Sequence, residues 1–191
     1  SSHATKRQAS PGETLLGPGD SPSKIWFIIN GSVRSLAALP PQNQWRTVER
    51  HNSGDLIGWL GWVHKRPIEH LRAAENCELL EIDLKPFENL WQSTASLRQW
   101  CAEKSPLIEG LHVLQQLAHG NPARSHQLDN WRQLQGKLQL LVDHEPTSRP
   151  GGHWHWINGQ IWPKAIPEQP RQQRLIWLPD PDDAVFQLSL N

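Results

Sequence analysis

The chain has 191 residues, with 19 Lys+Arg balanced by 19 Asp+Glu, so its formal net charge is zero. That length allows one domain, or one domain with a small companion, around a sizeable core, and zero net charge argues against a dedicated nucleic-acid binder, which carries a basic face or stripe. No stretch reaches the ~18 uninterrupted apolar residues of a membrane-spanning helix, and no apolar segment follows Lys6 and Arg7 as in a secretory signal, so a soluble chain without direct membrane insertion is expected.

Residues 12 to 83 read as strands and turns. Glu13 to Leu16 is a short strand after Pro11-Gly12. Ile25-Trp26-Phe27-Ile28-Ile29 is a continuous β-branched and aromatic run, the mark of a strand buried on both faces. Asn30-Gly31 follows at once and predicts a hairpin, with Ser32 to Leu39 as the return strand. A loop at Pro40 to Gln44 leads to a partly alternating strand over Trp45 to Arg50. Glu69 to Glu75 and Cys77 to Asp83 read as two more. Short strands at regular spacing, with glycine turns between them, predict a small barrel or jelly roll.

The texture changes at Asp83. Phe87, Leu90 and Trp91 fall at helical spacing, and Ser96 is placed to cap a second helix carrying Leu97, Trp100 and Cys101. Pro106 suits the start of a third, with Leu107, Leu111, Leu114 and Leu117 along one stripe. Gly120-Asn121-Pro122 stops it, and Ser125 starts a fourth carrying Leu128, Trp131 and Leu134. From about Lys137 strands return: Leu138 to Val142, a hairpin of Trp154 to Ile157 with Gln160 to Pro163 around Asn158-Gly159, and Leu175 to Leu178. The chain is thus expected to divide into a β-roll over 1–92, a helical segment over 93–136 and a small Trp- and Pro-rich β extension over 137–191 that leans on the first domain.

Two blocks carry a family resemblance. The first is Pro11-Gly12-Glu13-Thr14-Leu15-Leu16-Gly17-Pro18-Gly19-Asp20, followed by Ile25 to Asn30 and Gly31-Ser32-Val33-Arg34. The second is Gly54-Asp55-Leu56-Ile57-Gly58, then Arg66-Pro67, then Leu71-Arg72-Ala73-Ala74-Glu75 and Leu79 to Asp83. In this order, over about residues 10 to 92, they resemble the cyclic-nucleotide-binding domain family. The resemblance implies an α+β fold, a cyclic-nucleotide-binding-like β-roll (a double-stranded β-helix or jelly roll) followed by helices and a small C-terminal β extension. It also makes the segment after Gly54 the phosphate-binding cassette.

For the ligand, the resemblance implies a carboxylate at the cassette start that holds the ribose hydroxyl, and Asp55 stands at that place. It further implies an Arg, two small residues and a hydroxyl around the cyclic phosphate. Counted back from Leu71-Arg72-Ala73, those places hold Pro67, Ile68, Glu69 and His70. The arginine is absent and Glu69 brings a negative charge. A charge-assisted contact contributes roughly 1.5–3 kcal/mol, so its loss weakens binding by ~10- to 100-fold. Arg66, by a register slip, and Arg72, on the next strand, are the remaining cations. The candidate ligand-binding set is Gly54, Asp55, Leu56, Ile57, Gly58, Arg66, His70 and Arg72, facing a cyclic nucleotide or another anionic nucleotide-like ligand that binds weakly or not at all. No catalytic residue and no metal ligand is expected.

The cassette Gly54-Asp55-Leu56-Ile57-Gly58-Trp59-Leu60-Gly61-Trp62, with Pro67-Ile68-Glu69, is similar to a narrower group, the N-terminal cyclic-nucleotide-like domains of cyanobacterial bacteriocin or haemolysin-type, peptidase-containing ABC exporters. That implies a non-catalytic regulatory domain at the cytoplasmic face of the inner membrane, with the membrane and ATPase domains of the parent exporter as partners. The absence of any Met, even an initiator, fits a piece of such a longer protein. The Leu107 to Leu117 stripe reads first as a helix closing the core and second as a homodimer surface.

Two other classes compete. A transcription regulator of the catabolite-activator type needs a basic helix-turn-helix after residue 92, and residues 93 to 135 carry no basic cluster. A cupin-like metal enzyme needs His and Glu on facing strands, and the ten His are scattered. His153 and His155 share a strand face without a third ligand nearby and read as surface residues. Cys77 and Cys101 are too few for a disulfide scaffold and imply a reducing compartment, with Cys101 read as a buried apolar residue. Trp59 and Trp62 read equally as packing residues or as platforms for a base.

Overall fold

The computed structural model describes residues 4–39, 44–64, 67–104, 107–119, 139–142, 152–156 and 174–179. Its first eight strands are β1 (Ala4–Ala9), β2 (Thr14–Leu16), β3 (Lys24–Asn30), β4 (Ser32–Leu39), β5 (Gln44–Asn52), β6 (Leu56–Ile57), β7 (Leu71–Ala73) and β8 (Cys77–Asp83). They pair antiparallel in two four-stranded sheets, β1-β8-β3-β6 and β2-β7-β4-β5. One apolar cluster joins the two: Trp26, Ile28 and Leu79 from the first meet Leu16, Val33, Leu71 and Ala73 from the second. This is the expected β-roll.

Four helices follow or interrupt it: α1 (Trp59–His64), α2 (Leu84–Ser93), α3 (Ala95–Glu103) and α4 (Leu107–Ala118). A second cluster packs Trp59, Leu60 and Trp62 of α1 with Phe87 and Trp91 of α2, Cys101 of α3, and Ile108, Leu111 and Leu114 of α4, against Ile25, Ala37 and Leu39 of the strands. The α4 stripe therefore closes the core. The Trp62 ring lies edge-on to Phe87 at 5.2 Å and to Trp91 at 5.3 Å, and Trp59 is buried in the same cluster, so both indoles are packing residues. Burying a large aromatic side chain contributes about 1.5–3 kcal/mol, so these rings help tie the roll to the helices.

The hairpin expected at Asn30-Gly31 does not form. β3 pairs with β8 and β6, whereas β4 pairs with β5 and β7, so the chain crosses between sheets at Gly31. The glycine is needed there for another reason than a tight turn. Its φ is 86°, and a Cβ would stand 2.5 Å from the Asn76 carbonyl oxygen. β3 is also not buried along both faces, because Phe27 is 37% exposed. The expected strand over Glu69 to Glu75 narrows to β7, and Thr94, not Ser96, is the N-cap of α3. β1, β6 and α1 were not read from the sequence.

The C-terminal part contributes a three-stranded antiparallel sheet, in the order β10-β11-β9, from β9 (Gln139–Val142), β10 (Gly152–Trp156) and β11 (Arg174–Pro179). β10 pairs with β11, Trp154 opposite Trp177. The Asn158-Gly159 turn, the strand expected over Gln160 to Pro163 and the fourth helix after Ser125 lie outside the described residues. Among the described residues no helix is long and apolar enough to cross a membrane.

The crossing at Gly31 gives a direct test. Gly31→Ala adds a Cβ that meets fixed backbone in a left-handed conformation, and the expected loss of stability in urea unfolding is roughly 2 kcal/mol or more. A loss within ~0.5 kcal/mol, the range of ordinary surface substitutions, would show that the crossing is not constrained in this way.

Candidate functional site

β6 ends at Ile57, and Gly58, with φ 84°, turns the chain into α1. A Cβ on Gly58 would stand 2.9 Å from the Trp26 ring and 3.2 Å from the Lys24 carbonyl oxygen, so the turn is pressed against β3. The first amides of a helix have no acceptor within it. Glu69 supplies one. Its Oε1 accepts from the Gly58 N–H at 3.2 Å and its Oε2 from the Gly61 N–H at 3.1 Å, and the Leu60 amide bonds to the same carboxyl.

Simple alternation puts it there. Leu71 and Ala73 face the core, so Glu69 shares their face, while His70 and Arg72 take the other. Glu69 is 4% exposed. Burial pushes its carboxyl up to about 7 against the pull of the three amides, and nearby Glu109 adds to the push. Glu109 in turn bonds to His64 at 2.6 Å, which ties α4 to the last turn of α1.

A second acid does the same for α4. Glu49 Oε2 accepts from the Leu107 N–H at 3.0 Å, with the Ile108 amide beside it, and burial raises this carboxyl to about 7 as well. Two residues along the same strand, a His51 ring nitrogen meets the Ser35 hydroxyl at 2.7 Å, and burial lowers the pKa of that ring. Glu49, His51, Asp55, Trp59, Glu69 and Lys104 are among the residues lining a cavity of about 150 Å³ between β5, α1 and α3. Small-molecule pockets usually offer ~300–1,000 Å³, so this space does not admit a nucleotide as it stands.

The structure brings Asp55, Leu56 and Ile57 to this cavity. Asp55 is already engaged: Oδ2 accepts from the Asn52 N–H at 2.9 Å and Oδ1 lies 3.6 Å from Lys104 Nζ. Gly54 forms the turn ahead of it with φ 94°. The first side chain of α1 is the indole of Trp59, buried in the second apolar cluster. His70 and Arg72 are not brought to the cavity. Arg72 stands opposite Arg34 of β4 on the face turned away from the core. Arg66 lies outside the described residues. Sequence reasoning missed Glu69 and Glu49 as helix caps. Their one signal is an acid in the inward register of a strand.

A larger open recess of about 470 Å³ lies beside Leu15, Asp20 and Lys24. Its charges already satisfy one another. Arg7 reaches Glu81 at 3.1 Å and Glu13 at 2.7 Å, and Lys24 is paired with Glu81. Among the described residues no group of three or more His, Cys, Asp or Glu is placed to hold a metal ion.

A two-sheet roll with a short helix between β6 and β7, closed by helices behind β8, is the fold of cyclic nucleotide-binding domains. The cyclic nucleotide-binding domain model matches residues 6–94. The cAMP-activated global transcriptional regulator Vfr of Pseudomonas aeruginosa is 30% identical over 100 residues, which is 50% of this chain and 46% of that protein. In fold, the chain is similar to the regulatory subunit of a cAMP-independent protein kinase A from Trypanosoma cruzi, solved bound to guanosine. The TM-score is 0.51 at 19% identity, covering 61% of this chain and 41% of that one. The chain spans less than half the length of either relative.

The buried acid makes a prediction about pH. The folded-state value of Glu69, about 7, lies above its ordinary 4.5. Folding therefore takes up protons between those values, so the stability from this carboxyl is full below about pH 4.5 and is lost as pH rises through 7. Glu69→Gln keeps an acceptor oxygen and cannot titrate. Relative to the wild type, it should remove about 2–3 kcal/mol of the fall in stability between about pH 5 and about pH 8 in urea unfolding. Superimposable pH profiles for the two proteins would contradict a titrating carboxyl at this place.

Proposed function

We propose that this chain carries a regulatory module of the cyclic nucleotide-binding type that works without a cyclic phosphate. The observation behind this reading is Glu69, whose carboxyl occupies the Gly58 and Gly61 amides at the head of the cassette helix. An anion approaching these donors meets an acid already bound to them, and loses both the hydrogen bonds and the attraction of an arginine. The small cavity and the Trp59 indole support the same reading. The ligand class left open is a phosphate-free one, a nucleoside, for which the cavity of about 150 Å³ has to widen. That the regulatory subunit of a cAMP-independent protein kinase A from Trypanosoma cruzi is bound to guanosine supports that class.

Signalling in such a module runs through packing. α1 touches α4 through His64 and Glu109, and β5 holds α4 through Glu49. Any event that draws Glu69 off α1 shifts the balance between arrangements of α4, and a neighbouring domain that contacts the helices senses the shift.

Gly58-Trp59 and Pro67-Ile68-Glu69 support, for the whole protein, a bacterial ABC-type exporter in which the module sits at the cytoplasmic face of the inner membrane. Its membrane and ATPase domains, or a second copy of the module, would be the contacts. The likeness to Vfr supports a second reading, a transcription regulator of the catabolite-activator type. The complete reading frame separates them: an ATPase motif downstream fits the first, and a helix-turn-helix with a basic recognition helix fits the second.

Calorimetry tests the ligand claim. Cyclic AMP and cyclic GMP should show no binding tighter than about 0.1 mM, and the paired change Glu69→Ala with Pro67→Arg should tighten cyclic AMP binding by ~10-fold or more. Sub-micromolar binding of either cyclic nucleotide by the wild type would refute the proposal.

A further inference from the structure

We propose that the outer face of the sheet β2-β7-β4-β5 carries a site for a phosphate-type oxyanion, built from Arg34, Arg72 and His70 and separate from the cavity behind Glu69. Register places Arg72 of β7 directly opposite Arg34 of β4, and Arg34 directly opposite Arg50 of β5. Val33, Leu71 and Ala73, their neighbours along the strands, belong to the core, so the arginines share the opposite face. Directly opposed residues have Cβ atoms ~4.5–5.5 Å apart, and like charges so placed destabilise a sheet. A chain with balanced charge has acids to spare for such a row, and uses them elsewhere. Lys6, Arg7, Lys24, Lys85 and Lys104 each have a carboxylate, while among the described residues Arg34 and Arg72 have none.

The donors are also unanswered. The Nε of Arg34, the Nε of Arg72 and both ring nitrogens of His70 are buried without a hydrogen-bond partner. His70 is 5% exposed, with the Trp45 ring edge-on at 4.6 Å. Burial, and then the charge of Arg72, hold its pKa low, so the ring is neutral and offers one donor. Asp20 is the acid that His70 senses, but its Oδ2 is bound to the Gly17 N–H at 3.1 Å. Arg50 is partly satisfied, donating to Ser32 Oγ at 3.1 Å, whose hydroxyl donates to Glu75 at 2.7 Å.

Buried donors without acceptors are costly and rare, and a group of them beside two unpaired guanidinium groups points to a missing acceptor. An oxyanion with several oxygens answers all of these at once. It accepts from the planar forks of Arg34 and Arg72, takes the His70 donor and neutralises the opposed charges. The oxyanion is inorganic phosphate or a phosphoryl group on a partner's side chain, and the same donors serve either.

The test is an NMR titration of the full 191-residue chain with sodium phosphate, against sodium chloride at equal ionic strength. Saturable shifts at the Arg34 and Arg72 side-chain N–H groups and at His70 are expected with phosphate only. Arg34→Gln and Arg72→Gln should each weaken phosphate binding by ~10-fold or more, with Arg72→Lys in between. Removing one of two opposed charges should leave the thermal midpoint unchanged or raised, so loss of binding is not loss of fold. A capped Gly-phosphoserine-Gly peptide is the second probe. If it binds ~10-fold tighter than phosphate while its unphosphorylated form does not bind, the oxyanion belongs to a partner chain; equal affinity assigns the site to free phosphate. No saturable response to either probe, or unchanged affinity in both glutamine variants, overturns the proposal.

Discussion

The contact between the Glu69 carboxyl and the amides of Gly58 and Gly61 governs what this roll can do. A short helix at the mouth of a β-roll presents unpaired N–H groups to the interior, and those groups need an acceptor. In this chain the acceptor is internal. It comes from the segment just before β7, so the cassette is closed upon itself by a residue eight to eleven positions further along. Once that acid is in place, the Gly58 and Gly61 amides at the helix head are already engaged.

The rest of the helical layer is organised around the same face. Glu49 caps α4 as Glu69 caps α1, and His64 with Glu109 joins the two helices where both are buried. Both carboxyls titrate near 7 because burial outweighs their amide partners. Polar groups of this kind contribute little net stability but are costly to leave unpaired, so they select one arrangement of α1 and α4 over its neighbours. Trp59, Trp62, Phe87 and Trp91 add their burial to the same apolar cluster.

Strands that carry their own pattern were legible in the sequence. Ser32–Leu39 and Cys77–Asp83 were read with the bounds they have, because apolar and small residues mark both runs. Ala4–Ala9 was not, since Ala9 is its one buried residue and its order comes from pairing with β8, 68 to 78 positions away. Trp59–His64 is buried almost all round, so it shows no stripe of helical period. Asn30-Gly31 carries a strong local hairpin signal, and the long-range pairing of β3 with β8 overrides it. At the site, Gly54 and Asp55 were placed by the family resemblance, which reads the segment as the cassette start, and the structure puts the turn there, with Gly54 at φ 94°. Glu69 was seen as an obstacle to phosphate but not as a cap, because its partners lie on another element. Arg72 was placed among the ligand candidates, although the alternation through Leu71 and Ala73 already turns it outward.

The most direct test of the self-filled cassette follows the backbone amides of Gly58 and Gly61 by NMR as pH is raised. The account predicts that both shift together with a midpoint near 7, the value burial gives to Glu69. It also predicts that the transition vanishes in Glu69→Gln and that saturating cyclic AMP leaves both amides where they were. Amides that ignore pH but move saturably with cyclic AMP would show the helix head open to a phosphate, and would contradict the account.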